Sequence, residues 1–127
     1  MPTLAPRILI ADEQPLVVWA LRRTLVARGA QVVTATFHDE TCDLLRSDRF
    51  DGVVLSCQLA DVDMSDVIVE IDRLMPDVRL VALCRGGCAD RLQARLERGT
   101  VIDSPFEIEE VHRALIPAGC EPVLTSP

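Results

Sequence analysis

The chain has 127 residues, 49% of them hydrophobic and only 3% aromatic, and its 13 basic and 20 acidic residues leave a net charge of −7. That length fits one domain with an aliphatic core large enough to fold without covalent staples. The acidic balance argues against nonspecific nucleic-acid binding and against attraction to anionic membranes, and no apolar run is long enough to span a bilayer.

Short apolar runs alternate with helical patterns five times. Residues 7–11 (RILIA) form a continuous apolar run that ends at Asp12 and Glu13, as suits a strand buried on both faces. Residues 15–28 follow with helical spacing, placing Val17, Ala20, Leu21, Thr24 and Leu25 on one stripe. Pro15 fits the first turn and Gly29 the position just past the end. Residues 31–35 read as the second strand. Residues 38–47 read as a short helix with Asp39 as its N-cap. The third strand is 52–56 (GVVLS), and the next helix, 65–75, is stopped by Pro76. The fourth strand is 79–83, followed by a helix over 89–98 closed by Gly99. The fifth strand is 101–103. The last helix is 107–116, with acids in its first turn to complement its dipole. Residues 1–116 are expected to form the domain. Residues 117–127, with three prolines, are expected to be a loose tail too short for an output domain.

Strict βα alternation implies a parallel sheet with helices on both faces, doubly wound by right-handed crossovers. Ligands and chemistry in such sheets sit beyond the carboxyl ends of the strands. That rule selects Asp12 and Glu13, Ser56, Cys84 and Ser104, which follow four different strands. The N-terminus lacks a signal-peptide pattern, so a cytoplasmic protein is expected. The odd count of five cysteines in a domain with a good core points to reduced thiols rather than a disulfide framework. Cys57 is expected on the face opposite Ser56.

Those strand-end residues carry a family resemblance. ILIADEQP, FDGVVLSCQLADVDM, PDVRLVALCRGG and DSPF stand in the order and at the spacings of response-regulator receiver domains. The resemblance covers residues 7–116. It implies the flavodoxin-like receiver fold: a five-stranded parallel sheet of order 2-1-3-4-5 with five helices. It also implies which positions should bear the family's chemistry. Asp12 and Glu13 match the acidic pair that holds Mg²⁺. Ser56 stands where receivers have the phosphoacceptor Asp, and Cys84 where they have a phosphoryl-binding Ser or Thr. Ser104 stands in place of the Lys before the retained Pro105 and Phe106, and Val101 in place of the aromatic switch residue.

Each change has a chemical consequence. A carboxylate is an anionic nucleophile at neutral pH, whereas a serine hydroxyl needs a neighbouring base. His38 and His112 both fall on helical segments, away from the strand ends. A thiol is a weak donor, and losing the Lys removes a positive group that would stabilise the transferring phosphoryl oxygens. Losing the Asp also removes a metal ligand, so Asp12 and Glu13 are expected to bind Mg²⁺ weakly at best. The expected reading is a degenerate, non-enzymatic pseudo-receiver in two-component or phosphorelay signalling. It needs no cofactor and acts as a stand-alone adaptor for a histidine kinase, a phosphotransfer protein or another regulator.

Trp19 lies away from the core stripe of the first helix, with Leu16 and Val26 near it, which marks a partner-docking or homodimer face. Arg91, Arg95 and Arg98 recur at helical spacing and read as a solvated, ion-paired face. Two alternatives remain open. One is a thiol- or metal-responsive sensor built on Cys84 and Cys88. The other is a phosphorelay receiver with atypical chemistry.

Overall fold

The five apolar runs become five parallel strands of one sheet in a computed structural model that describes residues 5–116. The strands are β1 (Arg7–Ala11), β2 (Gln31–Ala35), β3 (Gly52–Ser56), β6 (Arg79–Cys84) and β7 (Thr100–Asp103). Their order is β2-β1-β3-β6-β7, the arrangement expected from the sequence. Two labels are shifted because a small antiparallel hairpin, β4 (Gln58–Leu59) with β5 (Val62–Asp63), intervenes. Ala60 and Asp61 turn that hairpin with φ of 49° and 66°. Two residues per strand is too short to read from a period-2 pattern.

Strand alternation sorts the core into two layers. Leu9, Val53, Leu55, Leu80 and Ala82 face one side, covered by α2 (His38–Ser47), α3 (Ser65–Leu74) and α4 (Ala89–Arg95). Ile8, Ile10, Val54, Val81 and Leu83 face the other, covered by α1 (Pro15–Ala27) and α5 (Ile108–Leu115). Each fully buried Leu or Ile contributes about 2 kcal/mol relative to exposure. Gly52 leaves room where α5 crosses the sheet: a Cβ there would stand 2.8 Å from Ile8 Cδ1 and 2.9 Å from Leu115 Cδ2, so those side-chain ends would have to shift.

Helix boundaries follow local chemistry. α1 begins at Pro15 and ends at Ala27, two residues before Gly29, whose φ of 94° suits glycine. There the N–H groups of Gly29 and Ala30 donate to the carbonyls of Val26 and Leu25, satisfying the last turn. Asp39 is not the N-cap of α2. Phe37 holds that position, and Asp39 and Glu40 lie in the first turn, where Glu40 accepts from the Thr36 N–H at 2.8 Å. α5 is closed at its start by a reciprocal capping box between Glu107 and Glu110.

α4 is shorter than the periodicity predicts. It ends at Arg95 because the buried Asp72 carboxylate of α3 accepts the N–H groups of Glu97, Arg98 and Gly99, at 2.7, 3.1 and 2.8 Å. Arg98 therefore lies outside the helix, and its guanidinium donates to the Asp72 carbonyl. Arg95 pairs with Asp66 of α3 at 3.1 Å, in keeping with an ion-paired face. The expected tail, 117–127, lies outside the described residues. No helix among the described residues is long and apolar enough to cross a membrane.

Candidate functional site

The carboxyl ends of β1, β3, β6 and β7 bring together Asp12, Ser56, Cys84 and Ser104. Asp12, Ser56 and Cys84 are buried, whereas Glu13 and Ser104 are exposed. Val101 is half-buried and packs against the α2/α3/α4 layer. The site opens into a cavity of about 710 Å³ lined by Glu13, Ser56, Cys57, Arg85, Cys88 and Arg91 among others.

Its polar groups are bonded to one another. Ser56 Oγ donates to the Gln58 carbonyl at 2.6 Å, so its proton is held by the loop and not by a base. Asp12 Oδ1 accepts the Gln14 N–H at 2.9 Å, and Oδ2 lies 3.4 Å from the guanidinium of Arg85. The Asp12 side chain is fully buried and that of Arg85 is one-third exposed. Ser104 donates its N–H to the Cys84 carbonyl at 2.8 Å and precedes a cis peptide bond to Pro105. Asp63, just ahead of α3, accepts both the N–H and the hydroxyl of Ser65, at 2.8 and 2.7 Å. The Ser65 hydroxyl and N–H hold its carboxyl below the ordinary value of 3.8.

The thiols depart from expectation. Cys57 and Cys84 are joined in a disulfide, with Cα atoms 5.3 Å apart, so they are not the reduced thiols that the cysteine count predicts. The physical reason is register. Ser56 faces Leu83 across β3 and β6, which sets Cys57 beside Cys84, and both lie in the core layer facing α2, α3 and α4. Cys57 does lie on the face opposite to the even-numbered residues of β3, as alternation requires. Cys88 stays free, and the three sulfurs lie within 4.8 Å of one another. They are the one group of three or more ligand atoms among the described residues close enough to hold a metal, but two are committed to the disulfide.

Arg85 was not among the residues selected from the sequence, yet its guanidinium lies 3.4 Å from the carboxylate of Asp12. Its position one residue past β6 was the available signal, under the same strand-end rule that selected Cys84. Asp12 and Glu13 are a poor fit for Mg²⁺: one carboxylate carries a guanidinium, and the neighbouring strand end offers the Ser56 hydroxyl, bonded to the Gln58 carbonyl, and no third carboxylate.

No protein-family model matches the chain. It is 31% identical over 107 residues to the response regulator MprA of Mycolicibacterium vanbaalenii, covering 83% of this chain and 46% of that protein. Against MprA of Mycobacterium bovis BCG the identity is 28% over 110 residues, covering 85% of this chain and 48% of that protein. The chain is a homologue of response-regulator receiver domains. It spans about half the length of these curated relatives. Solved receivers share its fold. A response regulator receiver protein from Sinorhizobium medicae superposes with a TM-score of 0.77 at 18% identity, covering 87% of this chain and 91% of that one. The receiver domain of an HD-domain protein from Pseudomonas fluorescens gives 0.72 at 22%, covering 91% and 90%. This receiver homologue keeps the five-stranded receiver scaffold, with Asp12, Ser56, Cys84 and Ser104 at its strand ends.

Proposed function

We propose that this receiver is phosphorylation-independent and works as a protein-binding adaptor in two-component or phosphorelay signalling. Ser56 carries the reading: at the phosphoacceptor position it offers a hydroxyl whose proton is bonded to the Gln58 carbonyl, with no carboxylate nucleophile. The surrounding groups support it. Cys84 has no hydroxyl to offer, Ser104 has no ammonium, and Arg85 engages Asp12. No catalytic step and no cofactor are then required, and Mg²⁺ would have to compete with the guanidinium for Asp12. The net charge of −7 speaks against nucleic acid and membrane as partners and suits a cytoplasmic protein.

The partner face is assigned to α1. Leu16, Trp19 and Val26 are 81%, 59% and 50% exposed, and at 100° per residue they fall within an arc of about 80°. Arg23 lies over the indole, 5.2 Å from its centroid, and holds Trp19 outward. A histidine kinase, a phosphotransfer protein or another regulator is the proposed partner, and a homodimer would use the same face.

Two measurements test this. Incubation with acetyl phosphate and Mg²⁺ is expected to leave the intact mass unchanged. A phosphate gain mapped to Ser56 would overturn phosphorylation independence and support a relay receiver with atypical chemistry. Pull-down from host lysate with wild type and Trp19→Asp side by side is expected to recover a kinase or phosphotransfer protein with the wild type only. Equal recovery by both would remove α1 as the docking face.

A further inference from the structure

We propose that Cys57, Cys84 and Cys88 form a thiol–disulfide exchange site in which Cys88 attacks the bond between the other two. The proposal stands on the sulfur geometry and does not depend on the adaptor reading. A disulfide that only staples β3 to β6 needs two sulfurs. Here a third thiol lies within 4.8 Å of both bonded sulfurs. Cys88 is half-buried and lines the same cavity as Cys57, whereas Cys84 is fully buried.

The segment that carries Cys88 is reached through two open glycines. Gly86 and Gly87 have φ of 78° and 84°, conformations that glycine adopts freely, and a Cβ on either would meet nothing within 4 Å. The Cys88 thiol donates only a long hydrogen bond to the Arg85 carbonyl, at 3.8 Å.

The step balances within the chain. Cys88 loses its proton, and its thiolate attacks Cys84 Sγ. The Cys84–Cys88 bond forms as the Cys57–Cys84 bond breaks, and the electron pair leaves on Cys57, which takes up a proton. No net oxidation occurs. Cys57 is the leaving sulfur because, although buried, it lines the same cavity as Cys88, whereas Cys84 does not. An ambient dithiol would complete the cycle: it supplies two electrons and two protons to the bond and becomes a disulfide itself. Exchange ties the start of α4 to the end of β6 and draws in Arg85, which holds Asp12. Through the reduction by that dithiol, and not through the exchange alone, the end of the sheet would respond to thiol redox state.

The test uses the full chain carrying Cys42→Ser and Cys120→Ser, so that only these three cysteines remain. After oxidation by a glutathione buffer, acid quenching and maleimide labelling, peptide mapping locates the one free thiol. Label is expected on Cys88 and, in a share of about one tenth, on Cys57. Label on Cys88 alone would mean a static staple and would overturn the exchange, as would labelling of all three. Adding Cys57→Ala, an apolar replacement suited to its core layer, is expected to give a Cys84–Cys88 disulfide in the same buffer. With folding verified by circular dichroism, two labelled thiols in that variant would also overturn it.

Discussion

Two buried carboxylates at opposite ends of the sheet are held in different ways. Asp72, at the end where β7 begins, accepts three backbone N–H groups in a row. Asp12, at the carboxyl end of β1, accepts one backbone N–H and faces the partly exposed guanidinium of Arg85. The first arrangement is satisfied by main chain and cannot be exchanged without unfolding the loop. The second rests on one backbone N–H and on one long, partly exposed side chain. Three backbone donors make a structural anchor, and one partly exposed cation makes a site that another partner can compete for.

The largest expected effect breaks the anchor. Asp72→Ala leaves three N–H groups without their acceptor and is expected to cost about 3 kcal/mol in urea unfolding. A cost below about 1 kcal/mol would mean that water replaces the carboxylate there, and the contrast with Asp12 would fail. Asp12→Asn keeps shape and removes the charge. Because Arg85 is one-third exposed and sits at 3.4 Å, the expected cost is only about 1 kcal/mol. The companion variant Arg85→Ala is expected to tighten Mg²⁺ binding in a calorimetric titration, since the carboxylate is released. Unchanged binding would show that the guanidinium is no competitor.

On the outer face of α1, Trp19→Asp is expected to change stability by less than about 0.5 kcal/mol, because the indole is exposed. A larger loss in thermal melting would assign Trp19 to packing. The smallest effect concerns Asp63, whose folded carboxyl is held low by Ser65. Its contribution is present above the unfolded value of 3.8 and is lost as the pH falls through the lower folded value. Asp63→Asn is therefore expected to be slightly less stable than wild type at neutral pH and equal to it at the acid end. A difference that persists unchanged into acid would exclude the carboxylate as its cause.

Legibility divides along similar lines. The sheet order and the two-layer core were readable, because continuous apolar runs alternating with helical stripes admit few right-handed arrangements. The end of α1 ahead of Gly29 was readable from a residue with a special backbone preference. The end of α4 was not. The periodicity runs on to Arg98, and only the side chain of Asp72, 25 residues earlier in sequence than Glu97, interrupts it. The positions Ser56, Cys84 and Ser104 were identified from the strand-end rule and the receiver resemblance. The pairing of Cys57 with Cys84 needed the β3–β6 register, which joins residues 27 apart. Arg85 was passed over because a charged residue after a strand is ordinary until its partner is known.

The sequence by itself determined the alternation of elements, the aliphatic core, the net charge and a hydroxyl rather than a carboxylate at the end of the third strand, since these are properties of residue type and local spacing. Only the tertiary structure decided which sulfur meets which and that Asp12 meets Arg85 across 73 residues. Those contacts depend on where parallel strands and their connecting helices come to lie in space, and residue spacing along the chain carries no record of it.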